Sequence, residues 1–578
     1  MHKNCHDDLI AQQKAFRERR SRLQTSTEQK QAEAIIPWQL PDITEIINKP
    51  AKIIGRVPKN VRSSLASLAA WVLKEVASKN DTASWTKWLL LTRLLLWDPG
   101  RGGRKHVNSV AKSILNRIKL WKEDNIQKLW FDFSEHSTEI IKANELKRTK
   151  PPSQAEANAT HAKAIKLAAL GELSKAFKAL SPSQGIIYDN NTIQQLQNKH
   201  PYEPPPSEIL QSIETNDQTL RLPSIPPHDD ITVEELIAYT KKLGRTSAGG
   251  VDLFTAQHLI DLVPFEFESS TLSNWAKVLS LIVNGSVCES AAPIAFGARL
   301  IGIAKPDGSP RPIAIGSLLR RSAGAILMKR HSNHIKHIVG PNQFGINVSA
   351  GIELFVHGFK AILQYVKPFD DAVAVKVDFK NAFNACKRSK LIELVRKQIP
   401  ALFGYVKGCY SSHVPIFLPN QSSIQSCSGV HQGDPLSGAL FAIILADTLK
   451  TALAGLENIY HAAYHDDLTL ASTSSASIIL AMTSLEALKQ SHGIEINYSK
   501  TEWISNLSAP PPNQFVGITH NTTFDTTLVS IPVGRTAHIK DEMDIRQKEW
   551  DSQFDRIIAL RHAQTMLLLL RNSLQLAK

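Results

Sequence analysis

The chain has 578 residues, 43% of them apolar, and a formal net charge of +14; that length supports about two to four domains with real cores. Five scattered cysteines (Cys5, Cys288, Cys386, Cys409, Cys427) lack CxxC spacing, which excludes a disulfide framework or a zinc knuckle and fits a reducing compartment. No signal peptide is visible, and the longest apolar run, Trp85 to Trp97, is interrupted by Lys87 and Arg93 and is too short to span a bilayer.

The charge is uneven. Residues 1–150 hold 28 Lys+Arg against 16 Asp+Glu, so most of the excess lies there. A basic segment joined to a near-neutral one fits either a polyanion partner, most often nucleic acid, or a solubilising surface. Residues 1–35 are polar, with Arg17, Arg19, Arg20 and Arg22 clustered, as in a solvated helix or a basic arm. Val61, Leu65, Leu68, Val72 and Val76 repeat at helical spacing, and the run from about Ser84 is apolar nearly all round, which argues for a buried helix. Asp98 to His106 is a Gly-rich basic loop, either exposed or close to phosphates. Residues 108–145 look helical, and Ala155–Leu170 with Leu173–Leu180 reads as a helical pair. Seven prolines between Pro201 and Pro227 then mark a linker or an extended wrap.

From Thr232 the character is mixed α and β. Val233–Leu243 is helical. Arg299–Ile315 reads as two strands around an Asp307-Gly308 turn, flanked by Lys305 and Arg311; such a basic hairpin can close over a triphosphate or stand solvated. Ala372–Val377 is an apolar strand ending at Asp378. The loop Gly429–Ser437 contains Gln432 and Gly433, and Pro435 opens a long apolar helix. Tyr464-His465-Asp466-Asp467 reads as a hairpin tip carrying two carboxylates, either a solvated turn or a divalent-metal site that relieves their repulsion. Another strand follows Asn497–Thr501, Phe515–Ile518 reads as a hairpin, and the chain is helical from about Ala537.

Taken in order, the cationic hairpin, the strand-end Asp378, the Gly-Gln-Gly loop and the double Asp resemble the reverse transcriptase family over roughly residues 230–535. Gly345 with Gly351-Ile352-Glu353, Gly433-Asp434-Pro435-Leu436-Ser437, and Asn497 with Lys500-Thr501 resemble its non-LTR (LINE-type) retrotransposon branch. The resemblance implies an α+β right-hand polymerase with fingers, palm and thumb, an antiparallel palm sheet and an α-helical basic N-terminal domain before it. The expected division is 1–145 for the basic extension, 146–230 for the helical pair and Pro-rich linker, 231–535 for fingers and palm, and 536–578 for the thumb.

The implied activity is RNA-directed DNA synthesis from dNTPs on an RNA template with a DNA or RNA primer. Two Mg2+ ions, replaceable by Mn2+, are implied. By resemblance Asp378 and Asp466 bridge the metals, Phe379 offers its backbone carbonyl, and Asp467 supports the site. Lys305 and Arg311 grip the triphosphate, Phe383 lies under the sugar and excludes a 2′-hydroxyl, Gln432 and Gly433 touch the nascent pair, and Lys500 protonates pyrophosphate. Nucleic acid is expected in the cleft and on the N-terminal domain, with no membrane partner and an intracellular location, nucleus and/or cytoplasm. His465, Gly438 and Gly249-Gly250 depart from the family pattern. No endonuclease, nuclease knuckle or RNase H is recognisable, which leaves open a truncated or host-retained copy. The alternative is an inactive relative that binds RNA through the same cleft.

Overall fold

The computed structural model describes residues 38–98, 104–148, 154–180, 188–206, 230–245, 247–263, 269–305, 308–419 and 422–573. Arg17, Arg19, Arg20, Arg22, the Pro99–Gly103 loop, Pro223, Pro226, Pro227 and the Pro306-Asp307 turn lie outside the described residues. Contacts divide the chain into two units, Met1–Asp42 and Ile43–Lys578; the elements below all belong to the second.

Helix α1 (Arg62–Lys79) buries Leu65, Leu68, Val72 and Val76, the residues of its helical repeat. Helix α2 (Thr82–Leu96) starts at Asp81, whose carboxylate accepts the Ser84 N–H while the Ser84 hydroxyl caps back, a reciprocal pair that satisfies two otherwise orphaned donors. Its apolar girth is buried as expected, but so is Arg93, 1% exposed, which reaches the carbonyls of Leu89 and Ile47. Lys87, by contrast, lies over the Trp71 ring. Further on, the pair Gln154–Ala169 and Leu173–Leu180 shares an apolar core with the C-terminal helices Thr536–Ile558 and Ala563–Ser573, through Ala164, Ala168, Ala176, Ile557, Leu560 and Leu569.

After helix α3 (Asn190–Asn198) the chain runs on through Pro201–Pro206 without regular structure. Helix α4 (Ser270–Val283) packs along α1. Polar ties reinforce that junction: Thr271 Oγ1 donates to the Ala66 carbonyl and Asn274 Nδ2 to the Ala70 carbonyl at 2.9 Å.

Strands β1 (Ala298–Ala304) and β2 (Pro310–Gly316) form the expected hairpin. Helix α5 (Leu318–Arg330) follows β2, and helix α6 (Gly351–Val366) precedes strand β3 (Val373–Val377). The short helix α7 (Ala382–Ala385) comes next, then β4 (Val414–Phe417), β5 (Ser423–Ser426) and helix α8 (Ser437–Ala452). Strands β6 (Tyr460–Tyr464) and β7 (Asp467–Ser472) are the hairpin with the two acids, and β8 (Glu502–Ser505) and β9 (Thr519–Asn521) follow. A four-stranded sheet runs β2-β1-β4-β5, and a second, five-stranded sheet runs β6-β7-β3-β8-β9.

The second sheet is central. Val373, Ala374, Val375 and Val377 of β3 are all but inaccessible, as a strand covered on both faces must be. Phe355 and Phe359 of α6 pack behind it with Ala374, Ala462, Ala471 and Ile504. The expected all-antiparallel sheet needs correction: β9 joins β8 in parallel. Phe515–Ile518 is not a hairpin but the turn-rich end of the 506–518 connection, which is long enough to bring the chain back in the same direction. The hairpin in this region is β10 (Thr526–Leu528) with β11 (Ile531–Val533).

Candidate polymerase active site

Strand register brings the acids together. Val377 faces Leu468 across the β3–β7 ladder, so one step further along each strand sets Asp378 opposite Asp467, with Asp466 beyond it at the hairpin tip. Sheet pairing therefore brings the three acids to one edge of two neighbouring strands.

The tip is held in an uncommon conformation. His465 has φ 54°, a left-handed geometry that costs a residue with a Cβ unless the surroundings fix it. Gln343 does the fixing: its Oε1 accepts the N–H of His465 and of Gly345, each at 2.9 Å, and its Nε2 donates to the His465 carbonyl. A Cβ on Gly345 would stand 2.6 Å from the His465 nitrogen, so only glycine allows this approach. Two departures from the family pattern also meet. A Cβ on Gly438 would lie 3.5 Å from His465 Nδ1, in ordinary contact with the imidazole.

Asp378 is supported from β8's side. Asn497 Nδ2 donates to its Oδ2 at 2.8 Å, Asn497 N–H bonds its carbonyl, and its own N–H reaches Thr501 Oγ1. Burial pushes the Asp466 carboxyl up, with Asp378 adding to the shift. Asp467 is pushed up to about 6, first by burial and then by Asp466 and Asp378, while Lys376 opposes. Carboxyls that raise one another in a cleft are the usual mark of a functional site or of a missing counter-charge.

A cavity of about 750 Å³ opens at this edge. Asp378, Phe379, Phe383, Gln432, Gly433, Asp466 and Lys500 line it, and Lys305 and Arg311 stand on its wall from the β1–β2 sheet. Asp467 is not among the lining residues. Phe383, on α7, stacks on Phe441 with 5.1 Å between ring centres. Lys500 is exposed at the end of a 3-10 turn. All ten sequence-predicted residues thus cluster at one edge, nine on the cavity and Asp467 behind.

The Gln432-Gly433 loop rests on a buried polar platform that the sequence did not reveal. Ala314 N–H on β2 bonds the Gln432 carbonyl at 2.7 Å. Gly433 has φ 120°, and a Cβ there would stand 2.6 Å from the Ala314 carbonyl. Beneath, Arg320 of α5 pairs with Asp434 at 2.8 Å, the two side chains 1% and 2% exposed. Tyr405 also donates to Asp434. Arg320 donates to His431 Nδ1, whose Nε2 donates to Ser426 Oγ, and burial with Arg320 and Arg388 alongside keeps that imidazole neutral.

Residues 303–524 match the family described as reverse transcriptase (RNA-dependent DNA polymerase). This part of the chain belongs to the reverse transcriptase family. Distant relatives of the chain are retrotransposon proteins. It is 26% identical over 198 residues to the retrovirus-related Pol polyprotein from type-1 retrotransposable element R2 of Nasonia vitripennis, covering 32% of this chain and 19% of that one. It is 24% identical over 335 residues to the retrotransposable element SLACS 132 kDa protein of Trypanosoma brucei gambiense, covering 55% and 26%. The matches thus span about a quarter or less of those relatives' length. Telomerase structures from Candida tropicalis and Candida albicans align at 12% identity over 41% and 42% of this chain and 46% and 44% of theirs, with a TM-score of 0.32 in each case.

Among the described residues no three His, Cys, Asp or Glu side chains form a ready metal cluster. Three carboxylates line the cavity; Asp434 is closed on Arg320, which leaves Asp378 and Asp466, with the Phe379 backbone alongside, as the donor set. All are hard oxygen donors, suited to Mg2+ or Mn2+, which commonly take further oxygens from substrate phosphate and water. The residues present fit that group.

Proposed function

We propose that this protein is an RNA-directed DNA polymerase of the non-LTR retrotransposon type, joining a deoxynucleotide to a primer 3′-hydroxyl on an RNA template. In this reading the five-stranded sheet is the palm, the β1–β2 sheet belongs to the fingers, and the C-terminal helices act as thumb. The observation that carries it is that Asp378 and Asp466 line one cavity together with Lys305 and Arg311. Carboxylates alone would repel a triphosphate, and cations alone would only bind it.

The roles are those that the family resemblance implies, and the shared cavity supports them. Lys305 and Arg311 hold the triphosphate and offset the charge that develops on the leaving group. The 3′-oxygen attacks the α-phosphorus, the bond to the bridging oxygen breaks, and Lys500 supplies a proton to the departing pyrophosphate. Asp378 and Asp466, with the Phe379 carbonyl, would hold Mg2+ or Mn2+, which supplies charge neutralisation and a more acidic 3′-hydroxyl. Phe383, braced by Phe441, would exclude a ribose 2′-hydroxyl. Gln432 and Gly433, seated on β2, would present their loop to the new pair. The basic N-terminal segment would contact template backbone.

Among the described residues no helix is long and apolar enough to cross a membrane. The reading is tested by primer extension on poly(A)/oligo(dT) with Mg2+, supplying dTTP or UTP. Extension with dTTP and little with UTP is expected; RNA binding without extension would favour the inactive RNA-binding relative instead.

A further inference from the structure

One cation on the active-site cavity comes from far outside the matched region. Lys199 lines the same cavity as Asp378, Asp466, Lys305 and Arg311. It stands at the C-terminal end of α3, more than a hundred residues before the family match begins.

Its position is built, not incidental. Helix α3 is capped by Asp189, which accepts the Thr192 N–H at 2.7 Å. Leu196 is fully buried against Ala298, Leu300, Ala314 and Ile416 of the four-stranded sheet. Just before the helix, the Tyr188 hydroxyl accepts the Gly302 N–H. Beyond it the chain stays beside the four-stranded sheet, where Ser428 donates to the Pro201 carbonyl and His413 to the Glu203 carbonyl, and reaches the segment after α7, where Lys387 pairs with the Glu203 side chain. Residues 188–206 therefore strap the four-stranded sheet to the segment after α7.

Lys199 is the point where the strap crosses. Its ammonium donates to the carbonyl of Pro310, next to Arg311. Its own carbonyl accepts Asn381 Nδ2 at 2.7 Å. Asn381 has φ 51° and opens the helix that carries Phe383. One residue thus touches the strand bearing a triphosphate cation and the turn bearing the sugar contact. A nucleoside triphosphate carries about four negative charges near neutrality, more than Lys305 and Arg311 alone offset, and charge-assisted contacts to phosphate are among the stronger polar interactions.

We propose that Lys199 is a nucleotide-binding residue, a third cation on the triphosphate of the incoming nucleotide, contributed by the strap. The assignment rests on the polymerase reading above and adds a substrate contact from outside the reverse transcriptase region.

The test uses the full chain on an RNA template with a dideoxy-terminated DNA primer, so that the next dNTP binds but cannot react. Nucleotide affinity is read from the stability of the stalled complex for wild type, Lys199→Met and Lys199→Arg. The expected result is a Kd for the dNTP raised about tenfold in Lys199→Met and about twofold in Lys199→Arg. Primer–template affinity and Tm stay at wild-type values. The Lys199→Met penalty shrinks when the deoxynucleoside diphosphate replaces the triphosphate, a charge dependence that a purely structural strap would not show.

Unchanged dNTP affinity in Lys199→Met overturns the proposal. So does a loss confined to primer–template binding, which would make the strap a template contact, or equal losses in Met and Arg variants with a lowered Tm, which would make it a brace. If the wild-type stalled complex itself binds no dNTP, the polymerase reading fails, and this inference with it.

Discussion

The acid edge of the palm and the platform under the Gln432-Gly433 loop border the same cavity, yet different forces hold them. Asp378 and Asp466 are placed by β-ladder register and by backbone and amide bonds from Asn497 and Gln343. The loop is placed by buried charge, the Arg320–Asp434 pair with His431 between two arginines. The first arrangement puts costly carboxylates where a cation can offset them; the second sinks its charges into the core and closes them on one another. Losing a charge at the edge should therefore cost chemistry, and losing one in the platform should cost folding.

The largest effect separates the three acids. Asp378→Asn and Asp466→Asn should each lower single-turnover extension by at least about a hundred- to a thousandfold. Asp467→Asn, off the cavity wall, should lower it less; equal losses in all three would remove the distinction. On the other side of the comparison, Arg320→Met leaves the Asp434 carboxylate buried without its partner and should cost about 3–5 kcal/mol in denaturant unfolding. The double variant Arg320→Met/Asp434→Asn should regain part of that, and no recovery would mean the pair is not what holds the platform.

Phe383→Val probes the floor of the cavity, where a ring stacked on Phe441 gives way to a smaller side chain. Discrimination for dTTP over UTP should fall roughly 10–100-fold, with extension by dTTP less affected. A smaller, signed effect concerns pH. Asp467 is raised to about 6, so in EDTA its carboxylate costs the fold stability above that pH, and the cost fades as pH falls toward its ordinary value near 4. Asp467→Asn should then be more stable than wild type at pH 8 and equal to it near pH 4. A gap that does not change with pH would remove charge burial as its cause.

The same contrast explains what could be read from the sequence. The palm edge was legible because each part is local: an apolar strand ending in Asp378, and a hairpin tip spelling two acids. The β1–β2 hairpin was legible for the same reason, from two short apolar runs around an Asp-Gly pair in the sequence. Gln343, Arg320 and Lys199 were not, because their partners lie 122, 114 and 111 residues away, and such contacts leave no periodicity. The parallel β9 was missed because Phe515–Ile518 has the composition of a hairpin, and the direction of strand pairing is set by the length and path of the connection. The meeting of Gly438 with His465 could not be inferred from two isolated departures.

The most direct measurement follows Asp466→Asn and wild type together, by primer extension on poly(A)/oligo(dT) and by thermal denaturation at pH 7.5. The account predicts extension by wild type, none detectable from Asp466→Asn, and a Tm in the variant that is equal or higher, since burial already disfavours that carboxylate. Full activity in Asp466→Asn, or activity lost only in step with a fallen Tm, would contradict the placing of the catalytic centre at this edge.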